Sequence, residues 1–394
     1  MSIARKIKSS IAQSSMIRKM FEEGALMKKK YGADKVFDFS LGNPNIAPPE
    51  EFKKELIKLA AENIPLKHGY TPSAAGYTEA RQAIAEKINK THGLKLNCDH
   101  VIMSCGAAGA LNVILKSLLD PMDEVIVPRP SFVEYPFYID NCGGIIKYVK
   151  TSADFSLDIS AIAEAINNKT KAVLINSPNN PTGKIYSKKN VDDLVRLLTD
   201  KSKELNKTIY LVSDEPYSEI VFDNVTVSSV LKAYRNSVIA CSYSKTLSLP
   251  GERIGYIAVN PDIYESDDLF DALVLCTRIL GFVNAPAFMQ RIVAKLQDAA
   301  VDVKVYQKKR DILCEGLAKA GYKFEKPQGT FYLFVRSPIP DDSEFVKMLL
   351  KKNILVVPGS GFGGPGYFRI AFCVDDATII NSMEGFASAI KECR

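Results

Sequence analysis

The sequence predicts an α/β protein: a mainly parallel sheet wrapped by helices, joined to a smaller α+β lobe. Two observations carry that reading. From Val101 to Val259, short runs rich in apolar and β-branched residues alternate with segments of helical period. Runs too apolar to alternate inside and outside belong to strands covered on both faces, the mark of a parallel sheet under helices. After Asp302 the pattern changes to helix, several strands and a last helix, as in a lobe where helices and strands are segregated. At 394 residues, 46% hydrophobic and 24% charged, the chain is long enough for two such cores.

In chain order, Ile3, Ile7, Ile11, Ile17 and Met20 recur at near-helical spacing and predict helices lying against core or another subunit. Strand and helix then alternate: "VIMS" into "GAAGALNVILKSLLD", "DEVIVP" into "SFVEYPFYIDNCG", "IIKYVK" into "DISAIAEAINNK", and "KAVLIN" through a loop into "KKNVDDLVRLLTDKSKELN". "TIYLVSD", "NSVIACS" and "RIGYIAV" close this region. The last hundred residues give a helix at "VYQKKRDILCEGLAKAG", strands at "TFYLFV", "ILVVPG" and "YFRIAF", and a helix at "ATIINSMEGFASAIKE". The expected division is 1–45 as a segment joining the small lobe, 46–290 as the large lobe and 291–394 as the small one. No internal repeat or low-complexity linker interrupts it.

Composition excludes several classes. Net charge is +6, but the basic residues are scattered and the compact run is only Lys28-Lys29-Lys30, so no nucleic-acid surface is expected. The eight cysteines form no CxxC pair, and the three histidines stand apart at 68, 92 and 100; this argues for reduced thiols in a cytoplasm and against a structural zinc site. The first thirty residues contain no apolar core of signal-peptide length, and no run of about twenty apolar residues occurs, so neither export nor a membrane span is expected.

Ligands of open α/β sheets bind beyond the carboxyl ends of the strands. Three such ends are unusually polar: "KAVLIN" runs into Ser177-Pro-Asn-Asn-Pro-Thr-Gly183, "TIYLV" into Ser213-Asp-Glu-Pro-Tyr217, and "SVIACS" into Tyr243-Ser-Lys245. One crevice then gathers the amide of Asn180, the carboxylate of Asp214, the phenol of Tyr217 and the amine of Lys245. The start of "GAAGALN" offers free backbone N–H groups and the positive end of a helix dipole, an anion site to which Ser242 and Arg253 add donors. A lysine beside a buried strand is costly unless its amine is used. Together, phosphate seat, lysine, carboxylate and phenol describe a pocket for pyridoxal phosphate, whose aldehyde forms a Schiff base with lysine and whose ring nitrogen is kept protonated by a carboxylate.

At these residues the chain resembles the fold-type I pyridoxal-phosphate-dependent aminotransferases of class I/II, the aspartate aminotransferase-like family. The resemblance runs through "FSLGNPN" (39–45), "HGYTPSAAGYTEAR" (68–81), "SPNNPTG" (177–183), "SDEPY" (213–217), "SYSKTLSLPGERIGY" (242–256) and "FRIAF" (368–372). It implies that Lys245 is the Schiff-base lysine, that Asp214 pairs with the pyridine nitrogen, and that Asn180 and Tyr217 hydrogen-bond the ring hydroxyl. It implies that Ser242, Arg253 and the backbone around Gly106, Ala107 and Ala108 hold the phosphate, and that Phe132 stacks on the ring. Arg369 would clamp the substrate α-carboxylate beside the backbone of Gly42. Tyr70 would reach the phosphate of the other subunit, so a homodimer with shared sites is expected.

Each residue alone has a plainer reading. Asn-Asn-Pro-Thr-Gly is a good turn, Asp214 suits a solvated strand end, Tyr70 and Phe132 suit packing, and Ser242 and Ser244 suit capping. Arg369 inside "YFRIAF" is harder to dismiss, because a guanidinium among apolar strand residues needs an acid or a ligand. Gly359-Ser-Gly-Phe-Gly-Gly364 matches G-x-G-x-x-G, yet it leads towards a strand and opens no helix, so a nucleotide is not expected there. Serine hydrolysis is set aside, since no G-x-S-x-G occurs and no histidine falls at these strand ends.

The expected function is transfer of an amino group between an L-amino acid and a 2-oxo acid by alternating half-reactions, with a C–S β-lyase on the same scaffold as the alternative. A non-catalytic regulator would need a lost lysine or an added DNA-binding segment, and neither is seen. Some acid-selective relatives carry a lysine where this chain has Ala in Gly106-Ala-Ala108, so a neutral or aromatic donor is expected, with glutamate and 2-oxoglutarate as a possible exchange pair.

Overall fold

A computed structural model describes residues 3–13 and 16–393. A two-residue strand, β1 (Phe37–Asp38), precedes the seven strands of the main sheet: β2 (Val101–Ser104), β3 (Glu124–Arg129), β4 (Ile145–Lys150), β5 (Thr170–Asn176), β6 (Tyr210–Asp214), β7 (Ser237–Ser242) and β8 (Gly255–Val259). Their order is β2-β8-β7-β6-β5-β3-β4. All neighbours are parallel except at β8, which runs antiparallel to both β2 and β7. The mainly parallel sheet expected from the sequence is present.

The apolar runs are continuous because each strand feeds two cores. Ala172 and Leu174 of β5 pack on one face of the sheet with Val212, Val238 and Ile257, while Val173 and Ile175 pack on the other with Leu211, Ile239 and Ala258. Helices cover both faces, among them Thr78–His92 and Lys188–Glu204 on one, and Gly106–Leu118 and Ser266–Ile279 on the other. Register then fixes what lies at the carboxyl edge: Asn176 pairs with Asp214, Asp214 pairs with Ala240, and β7 ends two residues later at Ser242.

The C-terminal region contains β9 (Tyr332–Arg336), β10 (Ile354–Leu355), β11 (Val357–Pro358) and β12 (Tyr367–Ala371), with long helices Val303–Ala320 and Asp376–Lys391. Here the single strand expected at "ILVVPG" is two: β10 pairs in parallel with β1, whereas β11 pairs antiparallel with β12. The chain changes partner at Val356, which is itself fully buried. A third core of Phe39, Tyr306, Leu313, Phe345, Phe368 and Phe386 holds these elements together.

At the N-terminus, helix Arg5–Gln13 is tied down by Lys6, whose Nζ lies 2.6 Å from Asp140 Oδ2. Ile3, Ile7 and Ile11 are exposed in the single chain, so of the two expected coverings the chain's own core does not bury them. The side chains of Ile17 and Met20 lie outside the described residues. Among the described residues, no helix is long and apolar enough to cross a membrane.

Candidate active site

The polar strand ends meet in one cavity of about 270 Å3, lined by Gly42, Ala107, Ala108, Phe132, Asn180, Asp214, Tyr217, Ser242, Lys245, Arg253 and Arg369, together with Leu41, Asn176 and Tyr332. Eleven of the thirteen residues singled out in the sequence therefore face a common space. The exceptions are Gly106, which sits behind it, and Tyr70, which is 82% exposed and lines no part of it.

Lys245 lies in a four-residue helix, Tyr243–Thr246, directly after β7. Its Nζ donates to Gly42 O at 2.9 Å, and the rings of Phe331 and Tyr217 lie 5.3 and 5.9 Å away. Burial, with Arg253 and Arg369 nearby, pulls its pKa down to about 8, so a sizeable share of the amine is neutral near physiological pH. Ser242, at the N-cap of this short helix, makes no side-chain capping bond.

Asp214 ends β6. Tyr135 donates to its Oδ2 at 2.7 Å, while the buried Oδ1 has no hydrogen-bond partner. Burial pushes this carboxyl up to about 7, and the Tyr135 hydrogen bond opposes the shift. A buried oxygen left unpaired costs about 1–3 kcal/mol, more when charged, so the site is built for a donor that the chain itself does not supply.

Asn176 ties the neighbouring ends together: its Nδ2 donates to Asp214 O at 2.8 Å and its Oδ1 accepts from Asn180 N at 2.7 Å. Asn180 Oδ1 in turn accepts from Arg369 Nη1 at 3.0 Å, and Ser40 O accepts from Arg369 Nη2 at 2.7 Å. Arg369 Nε is buried without a partner, and the guanidinium sits between Tyr332 and Phe362, 4.4 and 4.7 Å from their centroids. Tyr217 donates to the Tyr332 hydroxyl at 3.1 Å, and burial raises its pKa well above the ordinary phenol value. Gly42 has no alternative, because a Cβ there would run into the Tyr332 ring.

Opposite these groups stands the N-terminus of helix Gly106–Leu118. Gly106 has φ +74, and a Cβ on it would lie 2.7 Å from Arg253 Nη2. That guanidinium is aimed at the helix start, donating to Cys105 O at 3.3 Å and Pro250 O at 3.0 Å. Residues of this site that the sequence reading did not single out include Tyr135, Asn176, Ser40, Leu41 and Tyr332. Asn176 ends "KAVLIN" one step before the motif, and its place at a polar strand end was the available signal.

A partly neutral buried amine, a carboxyl lacking one donor, a cationic anion seat and a second guanidinium share this one cavity. The family described as aminotransferase class I and II matches residues 34–386. This chain belongs to that family, and it is a transaminase. It is 31% identical to the aspartate aminotransferase of Thermotoga maritima, with 97% of each chain covered. It is 30% identical to the aspartate/prephenate aminotransferase of Thermus thermophilus, over 93% of this chain and 94% of that one. Among solved structures, an amino transferase from Eubacterium rectale superposes with TM-score 0.96 at 39% identity, covering 100% and 99% of the two chains. The Thermus thermophilus aspartate aminotransferase with maleate gives 0.88 at 27%, covering 99% and 100%. The lyase alternative gains no support from these names.

Proposed function

We propose that the cavity holds pyridoxal 5'-phosphate and that the enzyme passes an amino group from an L-amino acid to a 2-oxo acid in two alternating half-reactions. The observation that carries this is the unpaired, buried Oδ1 of Asp214 in the same cavity as the Lys245 amine. A protonated ring nitrogen is the donor that such an oxygen lacks, and its charge would hold the carboxyl ionised. The opposite end fits equally: Arg253, Ser242 and the backbone at Gly106, Ala107 and Ala108 make a cationic seat for a phosphate, with Gly106 leaving room for the guanidinium. Phe132 would stack on the ring, and Asn180 and Tyr217 would bond its hydroxyl. When bound, the cofactor supplies an aldehyde carbon that takes up the amino group and a ring that withdraws electrons from the substrate α-carbon.

The chain's own groups do the rest. Lys245 Nζ would hold the cofactor's aldehyde at rest and, as a free amine, would take the substrate's α-proton and deliver it to the carbon derived from that aldehyde. Arg369 binds the α-carboxylate, with its unpaired Nε as the free donor and Gly42 beside it. Lys245, Arg253 and Arg369 are the cations lining the cavity, and each has a role already. Leu41, Phe132 and Tyr332 form the wall left for the side chain, which favours a neutral or aromatic donor.

The lobes are taken as 1–45 with 291–394, and 46–290; the pairing of β1 with β10 supports joining the N-terminal segment to the small lobe, while Ile292, Val293 and Leu296 still pack in the large lobe's core. We take the enzyme to be a homodimer in which the exposed Tyr70 serves the partner's site, and eight free thiols favour the cytoplasm. The test is to add single amino acids to holoenzyme without an acceptor. One equivalent of 2-oxo acid per chain is expected, with continuous turnover only after a 2-oxo acid is supplied. Steady release of ammonia without acceptor would overturn transfer in favour of a lyase.

A further inference from the structure

A second cavity of about 350 Å3 shares Phe132 with the first, and its walls include Arg129, Ser131, Glu134, Tyr148, Ser360 and Phe362. Phe132 lines both cavities, and Phe362 stands against the Arg369 guanidinium. Arg129 is the cation of this second space. Its guanidinium carbon lies 3.2 Å from the Tyr148 ring centroid, and its buried Nε has no hydrogen-bond partner. Among the described residues no carboxylate forms an ion pair with it. Glu134 lines the same cavity without an ion pair to Arg129, and burial raises its pKa.

The loop that the sequence offered as a false nucleotide motif is shaped around this arginine. Gly359–Phe362 forms a 3-10 turn that leads to β12 and opens no α-helix. Ser131 N donates to Phe362 O at 3.0 Å, which clasps the loop to the residues after β3. Gly363 has φ +75, and a Cβ there would run into Arg129 Cδ and lie 2.6 Å from Nε. Only glycine lets the loop close over that side chain. A half-buried guanidinium without an acid is expensive, and the planar fork matches a carboxylate.

We propose that Arg129 and the Gly359–Gly364 loop form a second carboxylate seat, beside the one at Arg369, for the acid group of a small organic acid. This rests on the reading of Arg369 as the α-carboxylate seat; its diacid arm would replace the neutral-donor preference read from the first cavity alone. The acid group comes either from the far end of a diacid anchored at Arg369 or from a separate molecule.

Calorimetry on holoenzyme separates the two, with succinate, glutarate and adipate as diacids and propionate as the monoacid. A bridging diacid predicts that at least one of the series binds about tenfold or more tighter than propionate. That advantage should vanish in Arg129→Met and partly survive in Arg129→Lys. A separate site predicts instead two equivalents of propionate per chain in the wild type and one in Arg129→Met. Equal affinities for diacids and monoacid, with one equivalent in both proteins, would overturn the seat. Unchanged cofactor absorbance and far-ultraviolet dichroism confirm that each variant is folded. Arg369→Met should abolish propionate binding at the first seat; retention there would sink the Arg369 reading alone, whatever Arg129 shows.

Discussion

Lys245 shows how burial prepares a residue for its chemistry. Its pKa falls from 10.5 to about 8, chiefly by desolvation. The unfolded chain therefore binds more protons than the folded one between about pH 8 and 10.5. The cost of burying the charged amine is present in full below that window and is relieved as pH rises through it. The same sign governs reactivity, since only the neutral amine attacks an aldehyde. The rate at which apoprotein captures pyridoxal phosphate should rise with pH to a plateau, with its midpoint near 8. A midpoint near 10.5 in a stopped-flow absorbance series would show an amine solvated as in water. Lys245 was legible because three polar strand ends converge on it in the sequence pattern. Tyr135 was not, because its hydroxyl meets Asp214 across 79 residues of separation and in the sequence it reads as one more aromatic at a helix start.

At the scale of elements, strand ends and helix starts were readable and changes of partner were not. Period and composition marked every strand of the main sheet, since continuous apolar runs follow from two covered faces. "ILVVPG" has the same composition as a single strand, yet it serves two sheets, and nothing in its four apolar residues records where one partner is exchanged for another. The Gly359–Gly364 loop likewise hid its reason, because the arginine it closes over lies more than two hundred residues earlier. The start of helix Gly106–Leu118 permits a sharper test. In Gly106→Ala the new Cβ must adopt a positive φ, a cost of roughly 1 kcal/mol, and must displace the Arg253 guanidinium from the helix end. Cofactor dissociation should strengthen by about tenfold or more in equilibrium dialysis, while the melting temperature of the apoprotein drops by only a few degrees. Wild-type retention of cofactor in that variant would mean that Arg253 does not need its present position.

The whole molecule presents apolar surface that a lone chain leaves unused. Leu275, Ile279 and Val283, spaced by four along and just past helix Ser266–Ile279, are 52%, 59% and 44% exposed. That spacing places Leu275 and Ile279 on one side of the helix, away from the buried Leu269, Leu273, Cys276 and Thr277, and Val283 follows the turn at Gly281 past its end. A stripe of this kind marks an interface more often than a solvated face. Tyr70 is also exposed, so its assignment to a shared site stands only if a second chain covers it. The sequence could name Tyr70 through its motif but could not reveal the stripe, because helical period shows two apolar sides without saying which one the fold buries. Light scattering of the wild type should give twice the chain mass. The double substitution Leu275→Glu, Ile279→Glu should shift it towards monomer, with cofactor retention falling as the protein is diluted. Tyr70→Phe, which leaves the stripe intact, should stay dimeric yet lose cofactor more readily than wild type. These two variants separate assembly from the shared contact. A wild-type monomer with full activity at assay concentration would refute the shared site, and a dimeric Tyr70→Phe that holds cofactor as tightly as wild type would remove Tyr70 from it.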